Sequence, residues 1–169
     1  MEPAPLILTL RFDDAAFARL DAMRRAHFPP ERNHIPAHLT LFHALPGAAL
    51  PEITENLRVA CAGTPPMALR VTGPRSLGRG VALGVEAPAL VALRRLLASH
   101  WREWLTPQDA GGFRPHVTVQ NKVAPEEARA LQAEMAVGFQ PWEARGEGLL
   151  LWHYRGGPWE AAAEFPFAG

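Results

Sequence analysis

Cysteine is nearly absent from this chain: Cys61 is the only one in 169 residues. A single thiol excludes an intramolecular disulfide and a zinc site built from several thiolates, and Cys61 reads as a small buried hydrophobe. Charge of one sign is lacking too, because 17 basic residues balance 17 acidic ones. That balance argues against a protein that holds nucleic acid through a large basic field, so any such contact must be local. Lysine is all but missing, with Lys122 alone among arginines. Beside abundant alanine this reads as the bias of a GC-rich genome, and no arginine is notable merely for not being lysine. No long apolar run occurs. Leu6 to Leu10 is too short for a signal peptide or a spanning helix and no basic segment precedes it, so the expected location is cytoplasmic, with no membrane partner.

What is present is a chain that is 48% hydrophobic, long enough for one core without a disulfide or metal. No low-complexity linker divides it, and the hydrophobic period switches repeatedly between two and about 3.6, which gives an α+β class. Leu6–Phe12 reads as a strand. Asp13 or Asp14 caps a helix to about Phe28, with Phe17, Leu20, Met23 and His27 on one face, and Pro29-Pro30 stops it. A strand over about Ala37–Leu45 precedes a helix with Pro51 in its first turn and Ile53, Leu57 and Ala60 inward. Met67–Thr72 and Val81–Val85 read as a hairpin around the segment Gly73 to Gly80.

The second part repeats the alternation. A helix runs from Pro88 to about Leu105, carrying Trp101 and Trp104 as core residues, and Pro107–Gly112 breaks it. Arg114–Val123 reads as a strand, Pro125 to about Val137 as a helix, and Gly148–Tyr154 with Trp159–Phe165 as a terminal hairpin. The expected organisation is one domain over 1–169 made of two similar lobes, roughly 1–86 and 87–169.

One tetrapeptide pattern occurs twice: His38-Leu39-Thr40-Leu41 and His116-Val117-Thr118-Val119. Alternation along a strand puts His38, Thr40 and Phe42 on one face and Leu39, Leu41 and His43 on the other. The same parity groups Arg114, His116, Thr118 and Gln120. Each aliphatic pair can enter a core while imidazole and hydroxyl line a polar face. Two imidazoles across a groove suit a reaction in which one proton is removed and another delivered. The threonine hydroxyls can donate to a phosphate oxygen as charge builds up on it. Zinc is the chemical rival, since two histidines can be ligands, but a third ligand on the same faces is missing. A single copy of so short a motif would be accidental. Two copies, each preceded within two residues by proline (Pro36 and Pro115), are not read that way.

These paired motifs, together with the stretches HLTLFHALPG, FRPHVTVQNKV and LLLWHYRGGPWE, resemble the 2H phosphoesterase superfamily, in particular its bacterial 2′-5′ RNA ligase-like and cyclic phosphodiesterase branch. The resemblance spans nearly the whole chain, and all four polar motif positions match. It implies a bilobal α+β fold with pseudo-twofold symmetry, in which two antiparallel sheets flank a central groove and helices lie outside. It also implies chemistry without metal or cofactor on 2′,3′-cyclic phosphates or 2′-5′ linkages. His38 and His116 would be the acid–base pair and Thr40 and Thr118 the phosphate ligands. The substrate would be RNA termini or a small cyclic nucleotide, with no obligate protein partner, and reversible 2′-5′ RNA ligation would be a second activity.

Further candidates follow from position. Arg114 shares the His116 face and could reach a phosphate at the groove's edge. Phe42 and Gln120 share the expected groove faces, although core packing is the favoured reading of Phe42; Trp152 and Tyr154, flanking His153, could stack on an unpaired base, against the favoured reading that they pack in the terminal hairpin. Arg75 and Arg79 lie in the glycine-rich connection. His43 falls by parity on the aliphatic face, as a structural residue, and His27, His34 and His100 are given no role. The alternative from another class is a non-catalytic module that binds nucleotides or RNA in the same groove. The two intact histidines favour an enzyme, because binding alone needs phosphate donors but no pair of proton carriers.

Overall fold

The computed structural model describes residues 2–169. Strand β1 (Leu6–Phe12) leads into helix α1 (Asp14–His27), whose first turn is capped by Asp13, its carboxylate accepting from the Ala16 N–H at 3.2 Å. Then come β2 (Thr40–Leu45), α2 (Leu50–Ala62), β3 (Met67–Ser76), β4 (Val81–Glu86) and α3 (Pro88–His100). A short α4 (Pro107–Ala110), β5 (His116–Gln120), α5 (Pro125–Ala136), β6 (Trp142–His153) and β7 (Glu160–Pro166) complete the chain. Pro51 and Pro88 sit in the first turns of α2 and α3, where a missing N–H costs no hydrogen bond.

All seven strands pair antiparallel in one sheet, in the order β2-β1-β6-β3-β4-β5, with β7 also on β6. The two sheets implied by the resemblance are thus two halves of one curled sheet. Strand β6, longer than expected, joins them: its C-terminal part pairs with β1 and its N-terminal part with β3. The motif strands β2 and β5 are the two ends of this path. Curling brings those ends together, so residues at opposite ends of the sheet border one groove. Helix α1 packs on β5 of the other half, α4 on β2, α2 on β7 and α5 on β3. The core beneath the helices takes Leu6, Leu8, Leu10, Leu39, Leu41, Leu69, Leu83, Val117 and Val119, all nearly inaccessible.

Several expectations shift. The buried face of α1 is Ala16, Leu20 and Arg24, and Phe17 is largely exposed. Helix α3 ends at His100 rather than near Leu105, and Trp101 is buried, its indole N–H donating to Asn56 Oδ1 at 2.9 Å. The break at 107–112 contains the turn of helix α4. Strand β3 continues through Gly73, whose φ of 141° only glycine adopts readily. Cys61 is buried, and burial pushes its thiol up to about 12. Among the described residues no helix is long and apolar enough to cross a membrane.

Candidate active site

Both motif strands depart from simple alternation at the same point. On β2, Thr40 pairs with Thr9 and Phe42 with Leu8, two residues opposite one. On β5, Thr118 pairs with Ala82 and Gln120 with Val81, again two opposite one. Each is a β-bulge just after the motif threonine, and the extra residue reverses the parity beyond it. Gly80 permits the second bulge, since a Cβ there would lie 2.0 Å from the Gln120 carbonyl oxygen.

The reversal corrects two assignments. Phe42 is fully buried, edge-on to Trp101 at 5.2 Å between centroids and beneath the Arg94 guanidinium, so it is a core residue and not part of the groove. Gln120 is buried at 4% exposure, its Oε1 without a hydrogen-bond partner, and it too lies off the groove. Conversely His43, placed on the aliphatic face by parity, faces the groove.

The pocket where the strand ends meet has a volume of about 140 Å³ and is lined by Ile7, His38, Thr40, His43, His116, Thr118 and Trp159. All four polar motif residues therefore come together from the two ends of the sheet. His38 lies just ahead of β2, and its Nδ1 is 2.9 Å from the Pro36 carbonyl oxygen; His116 Nδ1 is 2.8 Å from the Arg114 carbonyl oxygen. A carbonyl can only accept, so in both rings Nδ1 carries the hydrogen and Nε2 is left free. Burial pushes His38 down to about 4, against the Pro36 hydrogen bond, with the charges of Arg24, His43 and His116 adding to the fall. His116 is also lowered, first by burial, then by the charges of Arg75, His43 and Arg114 outweighing its carbonyl bond.

Behind each motif strand stands a buried arginine from the helix of the opposite half. Arg24 of α1 donates to the Thr118 carbonyl at 3.1 Å and to Asn33 Oδ1 at 2.9 Å. Arg94 of α3 donates to the Leu41 carbonyl at 3.2 Å and to the Asp109 carbonyl at 2.6 Å. These bonds fix the strand ends that carry the imidazoles.

Trp159 was not singled out from the sequence, where it only begins the last strand. Its ring lies 4.6 Å from that of His38 and walls the pocket. The signal available was the turn Gly156-Gly157-Pro158 that delivers it. A second cavity of about 330 Å³ shares His38 and Trp159 with the first and adds Phe12, Phe17, Ile35, Pro36 and Trp152 among its walls. Trp152 pairs with Ile7 across β1 and β6, and its indole N–H donates to Thr9 Oγ1 at 2.9 Å. Tyr154 lies past the end of β6, exposed and outside both cavities. Arg114 and Arg75 line a separate hollow, and Arg79 donates to the Val123 carbonyl. Among the described residues no three His, Cys, Asp or Glu side chains are arranged to hold a metal ion.

Comparison with known proteins agrees with this fold. The model of the 2′-5′ RNA ligase superfamily matches residues 12–158. Among solved structures, E. coli LigT complexed with 3′-AMP is 22% identical, with a TM-score of 0.65 over 99% of this chain and 100% of that one. TT0787 of Thermus thermophilus is 19% identical, with a TM-score of 0.63 over 98% of each chain. Kluyveromyces marxianus Usb1 is 15% identical, with a TM-score of 0.52 over 98% of each. These three likenesses concern the fold. No curated protein matches the chain in sequence. A family match over most of the length, on a curled sheet whose two ends each present a His-x-Thr pair, makes this chain a member of the 2′-5′ RNA ligase superfamily of 2H phosphoesterases.

Proposed function

We propose that the protein is a metal-independent phosphodiesterase that opens 2′,3′-cyclic phosphates of nucleotides or RNA ends, with His38 and His116 as the acid–base pair and Thr40 and Thr118 as phosphate ligands. The observation that carries this reading is the shared pocket in which both imidazoles have Nδ1 tied to a backbone carbonyl and Nε2 free beside two threonine hydroxyls. One neutral ring takes a proton from water as the water oxygen bonds to phosphorus. The bond from phosphorus to one ribose oxygen breaks, and that oxygen takes the proton of the other, protonated ring. The hydroxyls donate to the non-bridging oxygens, where charge accumulates. Burial holds His38 and His116 below their ordinary values, and a negative phosphate beside them favours a proton on one of the two. Ligation through a 2′-5′ bond is the same ring opening with a ribose 5′-hydroxyl in place of water: its oxygen bonds to phosphorus, the bond to O3′ breaks, and O3′ takes the proton of the protonated ring.

The aromatic cavity beside His38 supplies a place for the rest of the substrate. Stacking a base on Trp152 or Trp159 is worth about 1–3 kcal/mol and tolerates any base. LigT has been crystallised with 3′-AMP, with ATP and with NADP+, which supports a nucleotide as the ligand class. The test is turnover of 2′,3′-cyclic AMP in excess EDTA by the wild type, His38→Ala and His116→Ala. Activity that survives chelation and collapses in both variants is the expected result. A folded wild type with no turnover at any pH overturns the enzyme in favour of a binding module, and activity lost to EDTA overturns the metal-independent mechanism.

A further inference from the structure

The pocket at the strand ends holds one polar group that the proposed two-histidine reaction does not use. His43 lies on its wall with its side chain 45% exposed, while the partner of that ring, Asp109, is 1% exposed. The His43 Nδ1 is 3.1 Å from Asp109 Oδ1. The same carboxylate accepts from the backbone N–H of His43 at 2.9 Å and of Ala44 at 3.0 Å. Asp109 is itself fixed from behind, its N–H donating to Thr106 Oγ1 at 3.3 Å and its carbonyl taking the Arg94 guanidinium. Burial pushes the Asp109 carboxyl up, but the bonds from the His43 ring and from the two backbone N–H groups outweigh it and hold the acid below its ordinary value.

Three imidazoles thus face one pocket with Nδ1 anchored and Nε2 free, and they differ in the anchor. His38 and His116 are tied to neutral carbonyls, whereas His43 is tied to a carboxylate, the stronger acceptor. Among the described residues no lysine, arginine or carboxylate lines the pocket itself. The other charged or titratable groups around it are His38 and His116 across the cavity, Arg94 behind Asp109, Arg24 behind the Thr118 carbonyl, and Arg75 and Arg114 beyond His116. His38 and His116 must each gain or lose a proton in every turnover. His43 need not, and its ring stays available to the phosphate throughout.

We infer that His43, oriented by the buried Asp109 carboxylate, is a third phosphate ligand of this pocket, donating from Nε2 to a non-bridging phosphate oxygen. The inference rests on the phosphodiesterase reading above for its substrate, and phosphate binding tests it separately from turnover. Inorganic phosphate is titrated calorimetrically at pH 6 into the wild type, His43→Gln and Asp109→Asn, and kcat and KM for 2′,3′-cyclic AMP are measured on the same preparations. His43→Gln should weaken phosphate at least about tenfold, the loss of one hydrogen bond to a charged group. It should raise KM more than it lowers kcat and leave both limbs of the pH–rate profile in place, since His38 and His116 remain. Asp109→Asn should reproduce the weaker binding where it folds. His43 is half-exposed, so His43→Gln decides the matter even if Asp109→Asn does not fold. Phosphate affinity within twofold of wild type in His43→Gln, or a wild type that does not bind phosphate, overturns the inference. Phosphate binding that depends on His43 in a protein without turnover upholds it while the enzyme reading falls.

Discussion

Up to its threonine, each motif strand repeats the other. Each histidine hands its Nδ1 hydrogen to the carbonyl two residues back. A bulge follows each threonine, the next residue of the same parity turns inward as Phe42 or Gln120, and an arginine from the opposite half braces the strand. Past the bulge the halves diverge. The residue three beyond the threonine is His43 on one side, held by buried Asp109, and Asn121 on the other, whose side-chain Oδ1 accepts from the Lys122 N–H. His38 is covered by Trp159 and adjoins the aromatic cavity, whereas His116 has Arg75 and Arg114 nearby. In the proposed reaction the shared part supplies a proton carrier and a donor on each side of phosphorus. The divergent part would then suit the asymmetric substrate proposed above, with a nucleoside on one side of the phosphate and water on the other.

The strongest way to break the equivalence is to delete one imidazole at a time. His38→Ala and His116→Ala should each lower kcat for 2′,3′-cyclic AMP by about a hundred- to ten-thousand-fold, with the double variant little worse than either single one, because acid and base act as a unit. Survival of most activity in one of them would show that the halves do not share the chemistry. Next in size are Thr40→Val and Thr118→Val. Removing one donor to the developing charge should lower kcat by about a hundredfold in each, and equal losses would confirm that the symmetry extends to the phosphate oxygens.

The limits of symmetry also mark how far the chain could be read unaided. Strand β1, helices α2 and α5 and the two motifs were legible, because period, proline at the first turn and a repeated tetrapeptide are local signals. What parity missed was non-local. A bulge is visible only in the register of the partner strand, and it moved Phe42 and Gln120 out of the groove and His43 into it. Asp109 lay in a stretch read as a break, and its role depends on α4 packing on β2, far away in sequence. Trp159 had the same fate, since the contact with His38 exists only once the curled sheet closes on its C-terminal turn.

The bracing arginines allow a finer comparison. Arg94→Met leaves two buried carbonyls, of Leu41 and Asp109, without their donor, and should cost about 2–4 kcal/mol. Arg24→Met leaves the Thr118 carbonyl and the Asn33 side chain, both partly buried, without their donor, and should cost about 1–3 kcal/mol. Thermal unfolding at neutral pH measures both, and in a domain of this size each kcal/mol moves Tm by about 2–4 °C. A larger shift for Arg24→Met would reverse the view that the His43 side is the more tightly tied.

The smallest effect is a difference in acid sensitivity. Folding lowers His38 to about 4, from an ordinary value of 6.5. The folded state therefore favours the neutral ring, and the stability this contributes is present above pH 6.5 and is lost as pH falls from there toward 4. His116 is lowered in the same direction and adds to the same loss. Between pH 7 and pH 5, above the range where most carboxylates titrate, the wild-type Tm should fall by a few degrees more than that of His38→Asn, which has no ring to protonate. His116→Asn should relieve less of the fall, because its side of the pocket is not closed by an indole. Equal slopes in the wild type and His38→Asn would mean that the imidazole beneath Trp159 is hydrated enough to take its proton in the folded state, and the contrast drawn between the closed and open sides of the pocket would have to be given up.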